Sequence, residues 1–335
     1  MEEARVDSNS VELSVVDLKK WYPVRRGFID TLLSKEIQHV KAVDGVSFDI
    51  NKGEIFALAG ESGCGKTTTG KTLLRLLEPT GGHIYFQGRD ITNIEKREMK
   101  DLRKSMQIVY QDPYESLNPR MTIYDIIAEP IQIHGLADTM SEVDELIFKS
   151  LTDVELVPPD EFIGRYPHEL SGGQRQRVAI ARTMVMDPRF IVADEPISML
   201  DVSIRAGILR VMLKSGEAKG VTFLFITHDL AYARHICDRG AIMYLGKIVE
   251  MASMDRLVNN PLHPYTVALM AAVPVPDPKI EKAKAIIGGE VPTPIDPPSG
   301  CRFHPRCTYA TERCKLEEPK LVEMEPGHYV ACHEN

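Results

Sequence analysis

Short apolar segments, glycine-rich turns and helical stretches alternate along most of the chain. Residues 11–16 have the apolar content of a strand, and residues 43–50 alternate with the period of two that is typical of a half-buried strand. Residues 54–59 form another apolar segment, which runs straight into a glycine-rich loop, and residues 66–77 then carry leucines at helical spacing. This order of strand, loop and helix predicts an α/β core.

The middle of the chain changes to helical spacing. Candidate helices cover residues 123–133, 141–156 and 177–185, which predicts a helical subdomain of about 113–186 within the core. Apolar strands resume at 190–193 and 221–226.

Prolines become frequent after about residue 259. Closely spaced prolines favour extended segments over a second α/β core. We therefore expect a first domain of residues 1–258 and a proline-rich C-terminal extension of residues 259–335.

Charge and hydropathy narrow the class of protein. The 335 residues include 40 Lys and Arg against 48 Asp and Glu, and the net charge of −8 argues against nucleic acid as the main ligand. No apolar run approaches the ~20 residues of a membrane-spanning helix, and the N-terminus lacks the apolar core of a signal peptide. These features predict a cytoplasmic protein that meets a membrane only through partner proteins.

The glycine-rich loop fits the phosphate-binding pattern G-x-x-x-x-G-K-[ST]. Glycines let successive backbone N–H groups turn towards a phosphate, and the following helix adds the positive end of its dipole. Lys66 is expected to reach the β- and γ-phosphates, and the Thr67 hydroxyl to bind Mg²⁺. The residues expected to bind nucleotide here are Gly60, Glu61, Ser62, Gly63, Cys64, Gly65, Lys66, Thr67 and Thr68.

Polar residues at the ends of other apolar strands extend this site. Asp194 and Glu195 follow an apolar strand, so that Asp194 is expected to hold Mg²⁺ and Glu195 to orient the attacking water. His228 ends another apolar strand, where it is placed to contact the γ-phosphate. Gln111 ends a strand-like run, and its amide is a weaker candidate for a contact to Mg²⁺ or water.

A second glycine pair opens a later helix and forms an anion-binding helix N-terminus. No lysine accompanies it and no strand leads into it, so this half-site is expected to complete a nucleotide site on another subunit. Its residues are Leu170, Ser171, Gly172, Gly173 and Gln174.

Four cysteines cluster in the extension with the spacing C-x5-C-x6-C-x17-C: Cys301, Cys307, Cys314 and Cys332. Zinc sites prefer tight C-x2-C pairs, so the wider gaps favour an iron–sulfur cluster, [4Fe–4S], over Zn²⁺. Free thiols, or disulfides in a protein from a hyperthermophile, remain alternatives. A metal centre here is expected to be structural, because it lies far in sequence from the nucleotide loop.

Together these motifs resemble the ATP-binding subunit of an ABC transporter, over roughly residues 11–250. In chain order the matches are the Walker A loop (60–67), the Q-loop (Gln111), the LSGGQ signature (170–174), Walker B with its catalytic glutamate (191–195), the D-loop (Asp201) and the switch histidine (His228). The resemblance implies a P-loop ABC ATPase fold with an antiparallel β subdomain, a helical subdomain and a small Cys-rich C-terminal tail.

Residues 111–120, 263–266 and 330–333 are similar to the oligopeptide/dipeptide permease subfamily. The long segment after residues 21–24 and the stretch 76–80 are similar to the second, "F"-type ATPase of those systems. By that likeness Tyr22 would stack on adenine, with Trp21 as the fallback. Some members of that subfamily carry an iron–sulfur cluster at the tail cysteines.

The resemblance implies partners and a reaction. Two ATP-binding subunits would pair head to tail with ATP and Mg²⁺ between them, on the cytoplasmic face of the cell membrane, and the F-type likeness implies that the two are paralogues. Glu195 would act as the base and His228 would contact the γ-phosphate. Two membrane-spanning permease subunits and an extracytoplasmic substrate-binding protein would complete a peptide importer. Oligosaccharide or nickel import, or a soluble ATPase acting on DNA or ribosomes, are the alternatives.

Overall fold

The computed structural model describes residues 10–24, 38–272 and 292–334. These residues divide into two units. The first contains the described residues up to 50, residues 54–93 and the described residues from 225 onward, and the second contains residues 51–53 and 94–224. Part of the basic stretch after Val24 and the prolines between 273 and 291 lie outside the described residues.

Strands account for both sheets of the fold. In chain order they are β1 (Val11–Pro23), β2 (His39–Asn51), β3 (Ile55–Ala59), β4 (Gly81–Phe86), β5 (Arg89–Asp90), β6 (Met106–Val109), β7 (Phe190–Asp194), β8 (Thr222–Thr227), β9 (Arg239–Tyr244), β10 (Lys247–Ser253), β11 (Val322–Glu325) and β12 (His328–Val330).

The helices follow the glycine-rich loop and fill the middle of the chain. They are α1 (Lys66–Leu73), α2 (Lys96–Leu102), α3 (Pro113–Ser116), α4 (Ile123–His134), α5 (Met140–Asp153), α6 (Asp160–Ile163), α7 (Gly172–Met184), α8 (Val202–Lys219), α9 (Leu230–Ile236), α10 (Met254–Asn259), α11 (Pro264–Ala272) and α12 (Glu312–Leu316). No helix within the described residues is both long enough and apolar enough to cross a membrane.

The first unit contains a four-stranded sheet in the order β2-β1-β4-β5. β1 and β4 run antiparallel, with Leu13 opposite Phe86 and Val15 opposite Ile84. All four of these side chains are buried. The alternation of apolar and polar residues therefore places one face of this sheet in the core.

A second group of strands in the first unit lies in the order β11-β12-β10-β9-β3. β3 is parallel to β9, with Leu58 opposite Ala241, while β9, β10 and β12 pair antiparallel. Strand β3 is buried from Phe56 to Ala59, as expected for an apolar strand covered on both faces.

The second unit combines helices with the strand order β8-β7-β6, in which only residues 222–224 of β8 belong to this unit. β6 and β7 are parallel, and β7 is buried at every position. Helices α4 and α5 pack on α7. The three helices predicted in this region are confirmed as α4, α5 and α7, with boundaries that differ by a few residues.

Helix α1 ends at Leu73, four residues before the end of the predicted leucine pattern. Arg75 adopts a left-handed φ of 51°, and the N–H of Leu76 bonds to the carbonyl of Lys71 at 2.9 Å. This is the hydrogen bond of a Schellman cap with an arginine where glycine is usual. The Arg75 guanidinium holds the turn because it donates to the carbonyls of Ile91 and Thr92.

The C-terminal extension joins the sheet of the first unit instead of forming only an extended tail. β12 pairs with β10, with Val330 opposite Glu250. The sequence signal was weak because β12 has three residues and β11 is exposed along its whole length. β11 does alternate apolar and acidic residues, but over four residues only, and β12 is too short to show a pattern.

Glu250 is a fully buried carboxylate that ties three segments together. Its oxygens accept hydrogen bonds from the backbone N–H of Leu262 at 2.8 Å and of His263 at 2.9 Å. The imidazole Nε2 of His328, which is also fully buried, lies 2.7 Å from the same carboxylate. Glu250 therefore links β10 to the segment just before α11 and to β12, the second strand of a C-terminal hairpin formed by β11 and β12.

We expect Glu250→Ala to lower the free energy of unfolding by about 3 kcal/mol, because it leaves two backbone amides and a buried imidazole without their acceptor. Urea unfolding followed by circular dichroism measures this change. Glu312→Ala is the matched control, since its exposed pair with Lys315 is worth at most about 1 kcal/mol. Equal losses in the two variants would contradict the role assigned to Glu250.

Candidate functional site

The glycine-rich loop lies between β3 and α1, as its pattern predicts. Gly60 and Gly65 have φ of 151° and 111°, values that side-chain-bearing residues rarely adopt. A Cβ on Gly60 would lie 2.2 Å from the carbonyl oxygen of Met243, and one on Gly65 would lie 2.1 Å from that of Ala42. Both positions therefore require glycine, because main chain passes directly against them.

Lys66 points its ammonium group back into the loop. Nζ donates to the carbonyls of Gly60 at 2.8 Å and Glu61 at 2.9 Å, and the residue is 5% exposed. Cys64 lies beside it, with Sγ 3.8 Å from Nζ, and burial raises the pKa of this thiol. The loop thus concentrates one positive charge and the amide end of a helix at one point, a combination that suits a phosphate.

Helix α1 begins at Lys66, so Thr67 and Thr68 lie in its first turn. The amide of Thr69 bonds to the carbonyl of Gly65 at 2.8 Å, which starts the helical ladder. Amides that precede this ladder have no partner within the helix, and they are the donors that an anion meets at a helix N-terminus.

Two carboxylates end β7 in the second unit. Asp194 is buried at the last position of the strand. Glu195 follows with a left-handed φ of 46°, a conformation that costs energy for a residue with a side chain. The Gln111 side-chain amide donates to Glu195 Oε2 at 3.3 Å. The structure therefore brings Gln111 and Glu195 together, a pairing that their 84-residue separation did not reveal.

The second glycine pair opens α7, as predicted. Ser171 caps the helix: its hydroxyl accepts the amide of Gln174 at 3.3 Å, and its own amide donates to Gln174 Oε1 at 2.9 Å. A Cβ on Gly173 would lie 2.8 Å from Cγ2 of Ile204 on α8, so close helix packing also restricts this residue. Leu170 is buried in front of the cap.

Other predicted site residues occupy ends of elements. Asp201 is the N-cap of α8. His228 lies between β8 and Asp229, whose carboxylate caps α9. In β1, the indole Nε1 of Trp21 donates to Asp44 at 2.9 Å. The Lys20 ammonium lies over the ring of Tyr22, 5.0 Å from its centroid.

Two residues of the C-terminal extension contact the phosphate loop, and sequence reasoning assigned neither of them to the site. Arg306 pairs with the Glu61 carboxylate, and the Tyr265 hydroxyl accepts the Glu61 amide at 2.9 Å. Tyr265 lies within residues 263–266, which are similar to the permease subfamily, but that similarity did not indicate a contact with the phosphate loop. Nothing in the sequence marks Arg306.

The four clustered cysteines are free thiols. The Cys301 amide donates to the Cys314 carbonyl at 2.8 Å. Burial raises the pKa of Cys301 to about 11, and the negative charges of the other three thiolates raise it as well. In the described part of the chain, no three His, Cys, Asp or Glu side chains are grouped as ligands of one metal ion.

Comparison with known families supports the reading of these motifs. The family described as "ABC transporter" matches residues 43–198. The family described as "Oligopeptide/dipeptide transporter, C-terminal region" matches residues 249–314.

Individual relatives match nearly the whole chain. The "Oligopeptide transport ATP-binding protein AppF" of Bacillus subtilis is 48% identical over 324 residues, which is 96% of each chain. A "Putative peptide import ATP-binding protein" of Brucella ovis is also 48% identical, over 96% of each chain.

A solved structure shares the fold. The dimeric ATP-binding cassette MJ0796, in a post-hydrolysis state bound to ADP and Pi, is 27% identical and superposes with a TM-score of 0.62. The match covers 72% of this chain and 98% of that one.

We expect Gly65→Ala to weaken nucleotide binding at least ~100-fold, because shifting the loop away from Ala42 would cost about 3 kcal/mol. Titration with a fluorescent ATP analogue measures the dissociation constant. Gly63→Ala is the control: its φ is also positive, at 79°, but a Cβ there has nothing within 4 Å. A similar loss of affinity in both variants would show that backbone strain at a positive φ, and not the close approach at Gly65, accounts for the weaker nucleotide binding.

Proposed function

The chain belongs to the ATP-binding proteins of ABC transporters, and we propose that it hydrolyses ATP to power the import of peptides through such a transporter. The strongest support is the 48% identity to an oligopeptide transport ATP-binding protein over 96% of the chain. The match of residues 249–314 to an oligopeptide/dipeptide transporter region favours peptides over oligosaccharides or nickel as cargo.

In this proposal the loop of residues 60–67 wraps the phosphates of ATP. Lys66 exchanges the carbonyls of Gly60 and Glu61 for β- and γ-phosphate oxygens, and the first turn of α1, including Thr68, adds amide donors. The Thr67 hydroxyl, the Gln111 amide oxygen and Asp194 supply the oxygen ligands that Mg²⁺ prefers.

Glu195 acts as the general base that accepts a proton from the attacking water. The 3.3 Å contact from Gln111 Nε2 supports this role because it orients one carboxylate oxygen and leaves the side-chain oxygen of Gln111 for other partners. His228 contacts the γ-phosphate and stabilises the charge that develops there.

The cap of α7 completes the ATP site of a second subunit. Ser171 and the amides of Gly172 and Gly173 contact the γ-phosphate held by that subunit, with Leu170, Gln174 and Asp201 supporting the interface. Tyr22 stacks on adenine, a role favoured over Trp21 because the Trp21 indole is hydrogen-bonded to Asp44.

The partners follow from this arrangement. We place the chain on the cytoplasmic face of the cell membrane, paired with a paralogous ATP-binding subunit. Two membrane-spanning permease subunits contact the helical subdomain, and an extracytoplasmic binding protein delivers the peptide.

The C-terminal cysteines are proposed to hold a [4Fe–4S] cluster. The spacing C-x5-C-x6-C-x17-C supports this choice, because Zn²⁺ sites prefer tight C-x2-C pairs. Cys301, Cys307, Cys314 and Cys332 would be the ligands, and the bound cluster would cross-link the extension. Their protons must leave on loading, since burial raises the pKa of Cys301, Cys307 and Cys332.

We expect Glu195→Gln to lower ATP turnover by about 100-fold or more, the usual contribution of a general base. Phosphate release from the purified protein in the presence of Mg²⁺ measures it. Glu217→Gln, on the exposed side of α8, should leave turnover unchanged.

Cells that carry Glu195→Gln in place of the natural subunit should also lose uptake of labelled peptides. Unchanged ATP turnover in this variant would refute the assigned chemistry. Lost turnover with unchanged peptide uptake would refute peptide as the cargo.

Protein purified without oxygen should show the broad absorption near ~400 nm of iron–sulfur clusters held by thiolates. Cys307→Ser should reduce this absorption together with the iron content. Cys237→Ser should leave both unchanged, because Cys237 is buried outside the C-terminal set. Zinc in place of iron, or no metal, would overturn the cluster assignment.

A further inference from the structure

Arg306 forms a two-pronged ion pair with Glu61, the second residue of the phosphate loop. Nη1 lies 2.7 Å from Oε2 and Nη2 lies 3.1 Å from Oε1. The Arg306 side chain is 7% exposed and that of Glu61 is 25% exposed. Paired hydrogen bonds of this kind fix geometry as well as charge, and partial burial protects them from screening by salt.

The backbone of Glu61 is held by the same part of the chain. Its amide donates to the hydroxyl of Tyr265, which is fully buried. The rings of Tyr265, Tyr244 and Phe303 pack together with centroids 4.7 to 5.3 Å apart, and the Arg306 guanidinium lies over Tyr244 at 5.7 Å. Residues after 259 therefore hold both the main chain and the side chain of Glu61.

The ion pair between Arg306 and Glu61 affects nucleotide binding through the negative charge of Glu61. A carboxylate in a loop that surrounds a triphosphate repels the ligand unless a cation compensates it. The hydrogen bonds that Arg306 donates to the Glu61 carboxylate raise the pKa of Arg306, so the guanidinium stays charged and offsets the negative charge of Glu61. Loss of Arg306 would expose the phosphates to an unpaired negative charge.

We propose that Arg306 is a positioning residue of the ATP site, which acts through Glu61 so that ATP affinity depends on the conformation of the segment 301–316. The inference rests on the proposed function and deepens it, because it makes the C-terminal extension a determinant of nucleotide binding.

The cysteines lie on the same short segment. Arg306 ends a 3-10 turn, His304–Arg306, that lies between Cys301 and Cys307. The amide of His304 donates to the carbonyl of Cys301, and the amide of Cys307 donates to the carbonyl of His304. A change in what the thiols bind would therefore move Arg306 and alter ATP affinity.

The test compares dissociation constants for the non-hydrolysable analogue AMPPNP with Mg²⁺. Arg306→Gln should weaken binding about tenfold, equivalent to ~1.4 kcal/mol, and raise the KM for ATP with little change in kcat. Glu61→Gln gives the reference affinity of a loop that carries no carboxylate at this position, against which the double variant is compared. The double variant should recover most of the lost affinity, because the uncompensated carboxylate is gone.

Arg313→Gln is the matched control, since it removes an exposed arginine–glutamate pair from the same segment. A dissociation constant for Arg306→Gln within twofold of the wild type would overturn the inference. So would a loss that Glu61→Gln does not restore, because that result would mean a packing role for Arg306. Both measurements are of binding, so they do not depend on whether Glu195 is the base.

Coupling to the cysteines is tested by Cys307→Ser in two backgrounds. It should weaken AMPPNP binding in the wild type and add nothing to Arg306→Gln. An equal effect in both backgrounds, or no effect in either, would reject the coupling of the thiols to the ATP site through Arg306.

Discussion

The phosphate loop depends on a close approach of main chain to main chain. The carbonyls of Met243 and Ala42 occupy the positions where side chains on Gly60 and Gly65 would begin. The loop is anchored on the same side by the hydrogen bond from the Gly246 amide to the Cys64 carbonyl. The contacts come from β2, from the end of β9 and from the turn that follows β9. The shape of the loop therefore depends on the unit that surrounds it and not on the loop sequence alone.

Local chemistry explains why much of the site was predictable. A glycine at a positive φ, a lysine at the start of α1 and the reciprocal cap of Ser171 and Gln174 each act within a few residues, so their spacing appears in the sequence. The pairing of Gln111 with Glu195 and that of Arg306 with Glu61 depend on which strands and turns the fold brings together. Contacts between residues so far apart in sequence follow no regular spacing, so the sequence alone does not predict them.

Two features of the fold were not predictable for the same reason. The left-handed turn that ends α1 uses Arg75 where a glycine would have been a signal, and the guanidinium holds the turn through residues some 16 positions away. The C-terminal hairpin is fixed by a buried carboxylate on β10, a residue type that sequence patterns place at the surface. Distance in sequence also suggested that the cysteine segment is remote from the nucleotide loop, whereas Arg306 touches that loop.

A chain of polar contacts connects the core of the first unit to the phosphate loop. Glu250 fixes the amide of His263, and the Nδ1 of that histidine accepts the amide of Tyr265 at 3.0 Å. Burial lowers the pKa of His263 to about 4, so the ring remains neutral near pH 7 and keeps Nδ1 as an acceptor. Tyr265 then receives the Glu61 amide, and Arg306 holds the carboxylate. Most of these groups are buried, so losing one hydrogen bond leaves its partner unsatisfied at a cost in free energy. The extension is therefore suited to set the loop geometry on which phosphate binding depends, which gives a physical reason for an ATP-binding domain to continue beyond its last core strand.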